Sequence, residues 1–195
     1  MLLFSFSEKG ITILDLACGS GNFTLAIGAK FPNSTFVGLD YSAKGIELAK
    51  DLQNSKGVTN ASFVEGNAHH LPQEWAQHFD LVFMNDALHD IPDPNKCLEE
   101  VHKVLKDDGF FCLIEVDSHS DPLQNVGNMF AAMGYSTGMF TCMTASLAEP
   151  PHVGYGPMWG VEEIEKTMRN KKFELGKDAI VHVNKKACFM CTKVV

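Results

Sequence analysis

Ile13-Leu14-Asp15-Leu16-Ala17-Cys18-Gly19-Ser20-Gly21-Asn22 is the stretch that decides the fold. Its apolar run, broken only by Asp15, reads as a strand buried on both faces of a parallel sheet. Gly19-x-Gly21 then reads as a tight turn that opens a helix. A loop of this kind, at the carboxyl end of a parallel strand, is where open α/β sheets take nucleotide-like ligands. Glycine suits it because a backbone without Cβ accepts positive φ and lets a ligand come close.

Outward from that stretch, strand and helix patterns alternate. A helix follows from Asn22 to about Lys30, with Phe23 and Ile27 at helical spacing, and Phe31-Pro32-Asn33 stops it. Thr35 to Leu39 is a second strand with Asp40 at its end, and Ser42 caps a helix striped by Ile46, Ala49 and Leu52. Ala61 to Glu65 and Phe79 to Met84 are further strands. Asp93-Pro94 starts a helix that Gly109 closes, and Phe110 to Val116 is the fifth strand. Short loops and this alternation predict an α/β fold, a Rossmann-like doubly wound sheet. Residues 117–160 break the rhythm. Asp121-Pro122 predicts one helix with Leu123, Val126, Met129, Phe130 and Met133 inward, and the remainder is rich in methionine and aromatics. A long irregular segment of this composition reads as an acceptor-site insertion within a single domain over 1–195. Val161 to Asn170 is a helix, and Phe173 to Val183 and Ala187 to Val194 are antiparallel strands joined at Asn184-Lys185-Lys186.

The 195 residues carry a formal charge of −8. That balance argues against a nucleic-acid track, which needs a basic face. No apolar run reaches membrane-spanning length, and Met1-Leu2-Leu3-Phe4 lacks the basic flank of a signal peptide. Six scattered cysteines read as reduced thiols of a cytoplasmic protein.

Two acids describe the ligand. Asp40 stands about 20 residues beyond the glycine loop, where an acid takes both hydroxyls of a ribose. A dinucleotide fingerprint wants Gly or Ala three places after Gly21, and Thr24 stands there instead. Asp15 suits a cationic group better than a pyrophosphate. An NAD-dependent oxidoreductase therefore remains the weaker reading.

Leu14-Asp15-Leu16-Ala17-Cys18-Gly19-Ser20-Gly21 resembles the first motif of class I S-adenosylmethionine-dependent methyltransferases. Leu39-Asp40, Glu65-Gly66-Asn67-Ala68, Phe79-Asp80-Leu81-Val82-Phe83 and Leu105-Lys106-Asp107-Asp108-Gly109 resemble the family's later landmarks, in its order. The resemblance implies sheet order 3-2-1-4-5-7-6 with the last strand antiparallel, and S-adenosyl-L-methionine as cofactor. It implies a cofactor site of Asp15, Ala17, Cys18, Gly19, Gly21, Asp40, Tyr41, Asn67, Ala68 and Asn85. Asp40 would meet the ribose, Tyr41 the adenine face, Asn67 and Ala68 the base edge, and Asp15, Ala17, Gly19 and Asn85 the methionine end. Ser146-Leu147-Ala148, Gly154-x-Gly156 and Met158-Trp159-Gly160 resemble a subfamily with an N-terminal winged-helix domain. None is evident here, which suggests a short form; a homodimer is implied where that domain is present.

Methyl transfer needs a base only when the acceptor must lose a proton. The candidates are Asp86, His89, Asp90, Glu115 and His152, with His89 first because imidazole titrates near neutrality. Asp86, His89 and Asp90 read as a hydrogen-bonded group rather than a metal site, since no second histidine stands in register. Cys188 and Cys191, three apart on a strand, face opposite sides and cannot grip one ion. Neither the proline pair of DNA-amino methylating enzymes nor the paired-glutamate loop of arginine methyltransferases is present, which leaves a small-molecule acceptor. The rival function is a cofactor-binding domain without activity that works through a partner.

Overall fold

β1 (Thr12–Leu16) occupies the middle of the sheet, paired in parallel with β2 (Thr35–Asp40) on one side and β4 (Phe79–Asn85) on the other. The computed structural model describes residues 10–194, so Met1-Leu2-Leu3-Phe4 lies outside the described residues. β3 (Ala61–Glu65) pairs with β2, and β5 (Leu105–Val116) with β4. β7 (Lys186–Lys193) runs antiparallel to both β5 and β6 (Phe173–Val183). The order is β3-β2-β1-β4-β5-β7-β6, the order that the resemblance implies.

Alternation along β1 divides the core. Leu14 and Leu16 pack on one face with Val82, Met84, Leu98, Val101 and Phe111. Ile13 belongs to the other face, with Leu25, Phe36, Ile46, Ala49 and Phe63. α1 (Asn22–Gly28) buries Thr24, Leu25 and Gly28. Phe23 is 44% exposed and stacks on Phe83 at 4.2 Å between ring centroids. α2 (Ala43–Lys56) buries Ile46 and Ala49, as its stripe predicts, and Ser42 Oγ accepts the Gly45 N–H at 3.1 Å. α3 (Pro94–Val104) opens on Asp93, whose Oδ1 accepts the Lys96 N–H at 3.0 Å.

Two expectations are corrected. Gly109 does not close α3: the helix ends at Val104, and β5 begins at once with Leu105 paired to Phe79. The Asp-rich turn signal lost to pairing. Asp80 binds the Lys106 ammonium at 2.6 Å and takes the Thr12 N–H at 2.8 Å, which ties the new strand start to β4 and β1. The predicted helix over 121–133 is also two pieces. A 3-10 turn covers Pro122–Asn125, and α4 (Met129–Gly138) starts afresh. Gly127 at φ 85 breaks the chain, and Asn128 caps the new helix by accepting from Phe130 and Ala131. Leu123, Val126 and Met129 consequently face outward, 78–79% exposed, instead of inward.

α5 (Cys142–Ser146) and α6 (Val161–Asn170) follow. The irregular segment is pinned where it meets α6. Glu162 accepts from the His119 ring at 2.8 Å and from the Ser120 N–H at 2.7 Å. Gly160, at φ 92, passes so close to Ser120 that a Cβ would lie 2.3 Å from its backbone. Among the described residues no helix is long and apolar enough to cross a membrane.

Candidate functional site

The β1–α1 loop turns through three residues of positive φ: Ala17 at 64°, Gly19 at 55° and Gly21 at 70°. The two glycines do different work. A Cβ on Gly19 would meet nothing within 4 Å, so its backbone stands open. A Cβ on Gly21 would lie 2.6 Å from the Phe63 ring and 2.9 Å from Ala49. Gly21 is therefore required by packing against β3 and α2, besides its φ. Asp40 at the end of β2 fixes the loop. Its Oδ2 accepts the Gly19 N–H at 2.7 Å, and its Oδ1 accepts the Ser42 N–H at 2.8 Å.

Above this loop lies a cleft of about 500 Å³. Ala17, Asp40, Tyr41, Asn67, Ala68 and Asn85 all line it, brought together because β1, β2 and β4 end side by side, with the turn after β3 beside them. Tyr41 is 72% exposed at its rim. Asn67 Oδ1 accepts the His69 N–H at 2.8 Å, which shapes the turn after β3. His69 also lines the cleft, and its buried Nε2 has no hydrogen-bond partner. Ile91, Pro92 and Asp90 form another wall, and Ala145, Ala148 and Glu149 close it from the irregular segment. The sequence reading missed His69, Ala145 and Glu149. His69 could have been found from the motif two residues before it, whereas nothing in the spacing of α5 points to a cleft on β4.

Asp15, Cys18, Gly19, Gly21 and His89 are not part of the cleft lining, although the open backbone of Gly19 stands in the loop beneath it. Asp15 is buried, 4% exposed, and does not line the cleft. It follows Ile13 in the strand's alternation, so it faces the other side of the sheet, where its carboxylate accepts from the Thr24 hydroxyl. Burial raises its pKa to about 6 against the lowering effect of Thr24, with the Asp40 charge adding to the rise. Thr24, which breaks the dinucleotide fingerprint, is thus the partner of this acid. Cys18 turns its thiol toward Gly38, and burial followed by the charges of Asp15 and Asp40 pushes the thiol's pKa up. Gly21 is enclosed as described.

His89 also stands apart. It is 3% exposed and is not part of the cleft lining. Its Nδ1 lies 2.5 Å from Glu115 Oε2, and Glu115 Oε1 takes the Leu88 N–H at 2.9 Å. Burial works to lower the imidazole pKa, but the Glu115 hydrogen bond and charge, with Asp90 and Asp86, outweigh it and raise it. The Glu115 carboxylate thus fixes the ring through Nδ1 and leaves Nε2 as its other nitrogen. His152 is exposed and binds the Leu147 carbonyl at 2.8 Å, outside the cleft lining. Asp86 and Asp90 do line it, Asp86 with Lys186 at 2.5 Å from its Oδ1.

The chain matches the model of a methyltransferase domain family over residues 7–176. It belongs to that family, and its fold is that of class I S-adenosylmethionine-dependent methyltransferases. A demethylmenaquinone methyltransferase of Lactobacillus johnsonii is 33% identical over 122 residues, 62% of this chain and 50% of that protein. The chain spans about half the length of such curated relatives. Among solved structures, an S-adenosylmethionine-dependent methyltransferase of Methanosarcina mazei superposes with a TM-score of 0.74 at 21% identity, covering 100% of this chain and 97% of that one. A family 2 O-methyltransferase of Planctomyces limnophilus, in complex with apigenin, gives 0.70 at 20% identity over 96% and 52%. Neither the oxidoreductase reading nor the inactive-domain reading gains support from these likenesses.

Proposed function

We propose that this chain transfers a methyl group from S-adenosylmethionine to a small, apolar, ring-bearing acceptor. The observation that carries the reading is the Asp40 carboxylate. Two backbone N–H groups hold it at the cleft wall, and each oxygen keeps a lone pair for a ribose hydroxyl. The open backbone at Gly19 gives the cofactor a surface to lie on. Asn67 and Ala68 are assigned to the adenine edge, Tyr41 to its face, and Ala17 and Asn85 to the methionine end.

The cofactor, when bound, supplies a methyl group on a cationic sulfur that leaves readily in an in-line displacement. The chain's task is then alignment and exclusion of water, a contribution of roughly 7–11 kcal/mol in favourable cases. Ile91, Pro92, Ala145 and Ala148 offer an apolar acceptor wall, and the small alanines leave it width. We assign residues 117–160 to this wall. Asp86 stands at the cleft to take a proton from an acceptor that must lose one. The relatives named for demethylmenaquinone and the neighbour bound to apigenin support an acceptor of this kind.

Calorimetric titration with S-adenosylhomocysteine tests the cleft. Asp40→Ala is expected to weaken binding by about 1.5–3 kcal/mol, the range of a charge-assisted hydrogen bond. An unchanged dissociation constant overturns the ribose role. Radiolabelled methyl transfer over a panel of phenolic and quinol acceptors tests the activity, and no product from any of them by a chain that binds the cofactor overturns it.

A further inference from the structure

Beside the cleft, and unused by the chemistry above, one imidazole nitrogen of His89, one carboxylate oxygen of Asp90 and the Cys142 sulfur lie within 4.8 Å of one another. They come from two elements. His89 and Asp90 belong to the 3-10 turn Leu88–Asp90 after β4, and Cys142 opens α5. Three features of the group are those of a coordination site.

The first is the mixture of donors. Nitrogen, oxygen and sulfur together suit a zinc-class ion better than magnesium or calcium, which take oxygen. The second is spacing. His89 Nε2 and Asp90 Oδ1 are 3.4 Å apart, and Asp90 Oδ1 is buried without a hydrogen-bond partner. That separation is long for a charge-assisted hydrogen bond. It matches the edge of a tetrahedral site, where ligands ~2.0–2.3 Å from the ion stand roughly 3.3–3.8 Å apart. The third is orientation. The Nδ1 of His89 is engaged by Glu115 at 2.5 Å, which leaves Nε2 as the nitrogen facing Asp90. A carboxylate on the far nitrogen is how metal-binding histidines are held and made more basic.

We infer that His89 Nε2, Asp90 Oδ1 and Cys142 Sγ form a three-ligand site for a zinc-class divalent ion, with Glu115 orienting the imidazole. On binding, the Cys142 sulfur exchanges its proton for the metal, and the proton passes to solvent. Three protein ligands leave a fourth position, as in sites where a metal holds water or substrate. Asp90 and α5's Ala145 also line the cleft, so the ion would sit in its wall on the acceptor side. The inference stands on this cluster alone and does not depend on the acceptor proposed above.

Cobalt(II) titration of the full chain tests it, because a thiolate ligand gives a near-ultraviolet charge-transfer band. The expected result is one saturable equivalent showing that band, displaced by zinc. Cys142→Ser abolishes the band. Cys188→Ser keeps it, which separates the site from the Cys112–Cys188 pair, whose sulfurs are 3.6 Å apart. Glu115→Gln lowers cobalt affinity by about 10–100-fold, the range for losing an orienting partner. Since Glu115 is buried, its variant is compared by circular dichroism first, and the Cys142 variant carries the decision should it unfold. A wild-type chain without the band, or a band that survives Cys142→Ser, overturns the assignment.

Discussion

Asp15 and Asp40 lie on neighbouring strands and face opposite sides of the same glycine loop. Asp40 stands at the cleft, held by two backbone N–H groups. Asp15 faces an apolar cavity of about 460 Å³ bounded by Ile13, Phe23, Leu81, Phe83 and Ile114, with one hydroxyl for company. Both are carboxylates in a sequence that a motif reads as one site. The difference teaches that a motif acid serves a ligand only if strand alternation delivers it to the ligand's side.

The loop between the two acids is the place to break both regions at once. Gly21→Ala drives a Cβ into Phe63 and Ala49 at a residue of φ 70. The expected loss is roughly 2–5 kcal/mol of unfolding free energy in urea, from left-handed strain plus overpacking. A variant as stable as wild type contradicts the packing role.

Asp15→Asn sharpens the contrast through pH. The unfolded chain sheds this proton near 3.8 and the folded chain near 6. Between those values the folded state binds more protons, so stability falls as pH rises through the window. The cost above pH 6 is on the order of 3 kcal/mol. The Asn variant should lack that slope and exceed wild type increasingly from pH 4 to 6. Parallel pH profiles would remove the buried charge from the account.

Smaller effects mark the edges of the comparison. Phe23→Ala removes a half-exposed ring stacked on Phe83 and should cost about 1 kcal/mol, with S-adenosylhomocysteine affinity unchanged because Phe23 is not in the cleft lining. Leu123→Ser should shift stability by under about 0.5 kcal/mol, as its side chain is 78% exposed. A larger loss would mean that the inward helix first read from the sequence forms in solution.

The sheet was legible because its central strands are largely apolar runs whose ends carry acids and glycines. That Asp40, Asn67 and Asn85 line one cleft was legible for the same reason: Asp40 and Asn85 end β2 and β4, and Asn67 lies two residues beyond β3. Asp15 was misplaced although the signal was present, since Ile13 and Asp15 share one parity and Leu14 and Leu16 the other. The helix over 121–133 failed because methionine and phenylalanine spacing was weighed above Gly127-Asn128, a break followed by a cap. The His89–Glu115 contact was not legible, because sequence shows that His89 follows β4 but not that Glu115 waits on β5. The grouping of Cys142 with His89 depends on how α5 folds back, which no local pattern encodes.

Asp40 carries one more consequence, for anyone who would re-engineer this protein's cofactor preference. A common route is to exchange the ribose-binding acid for a residue that tolerates a different sugar. Here the acid we propose for the ribose also anchors Gly19 and Ser42, so exchanging it would release the loop as well. Redesign would have to supply new acceptors for both amides before it could alter what the cleft selects.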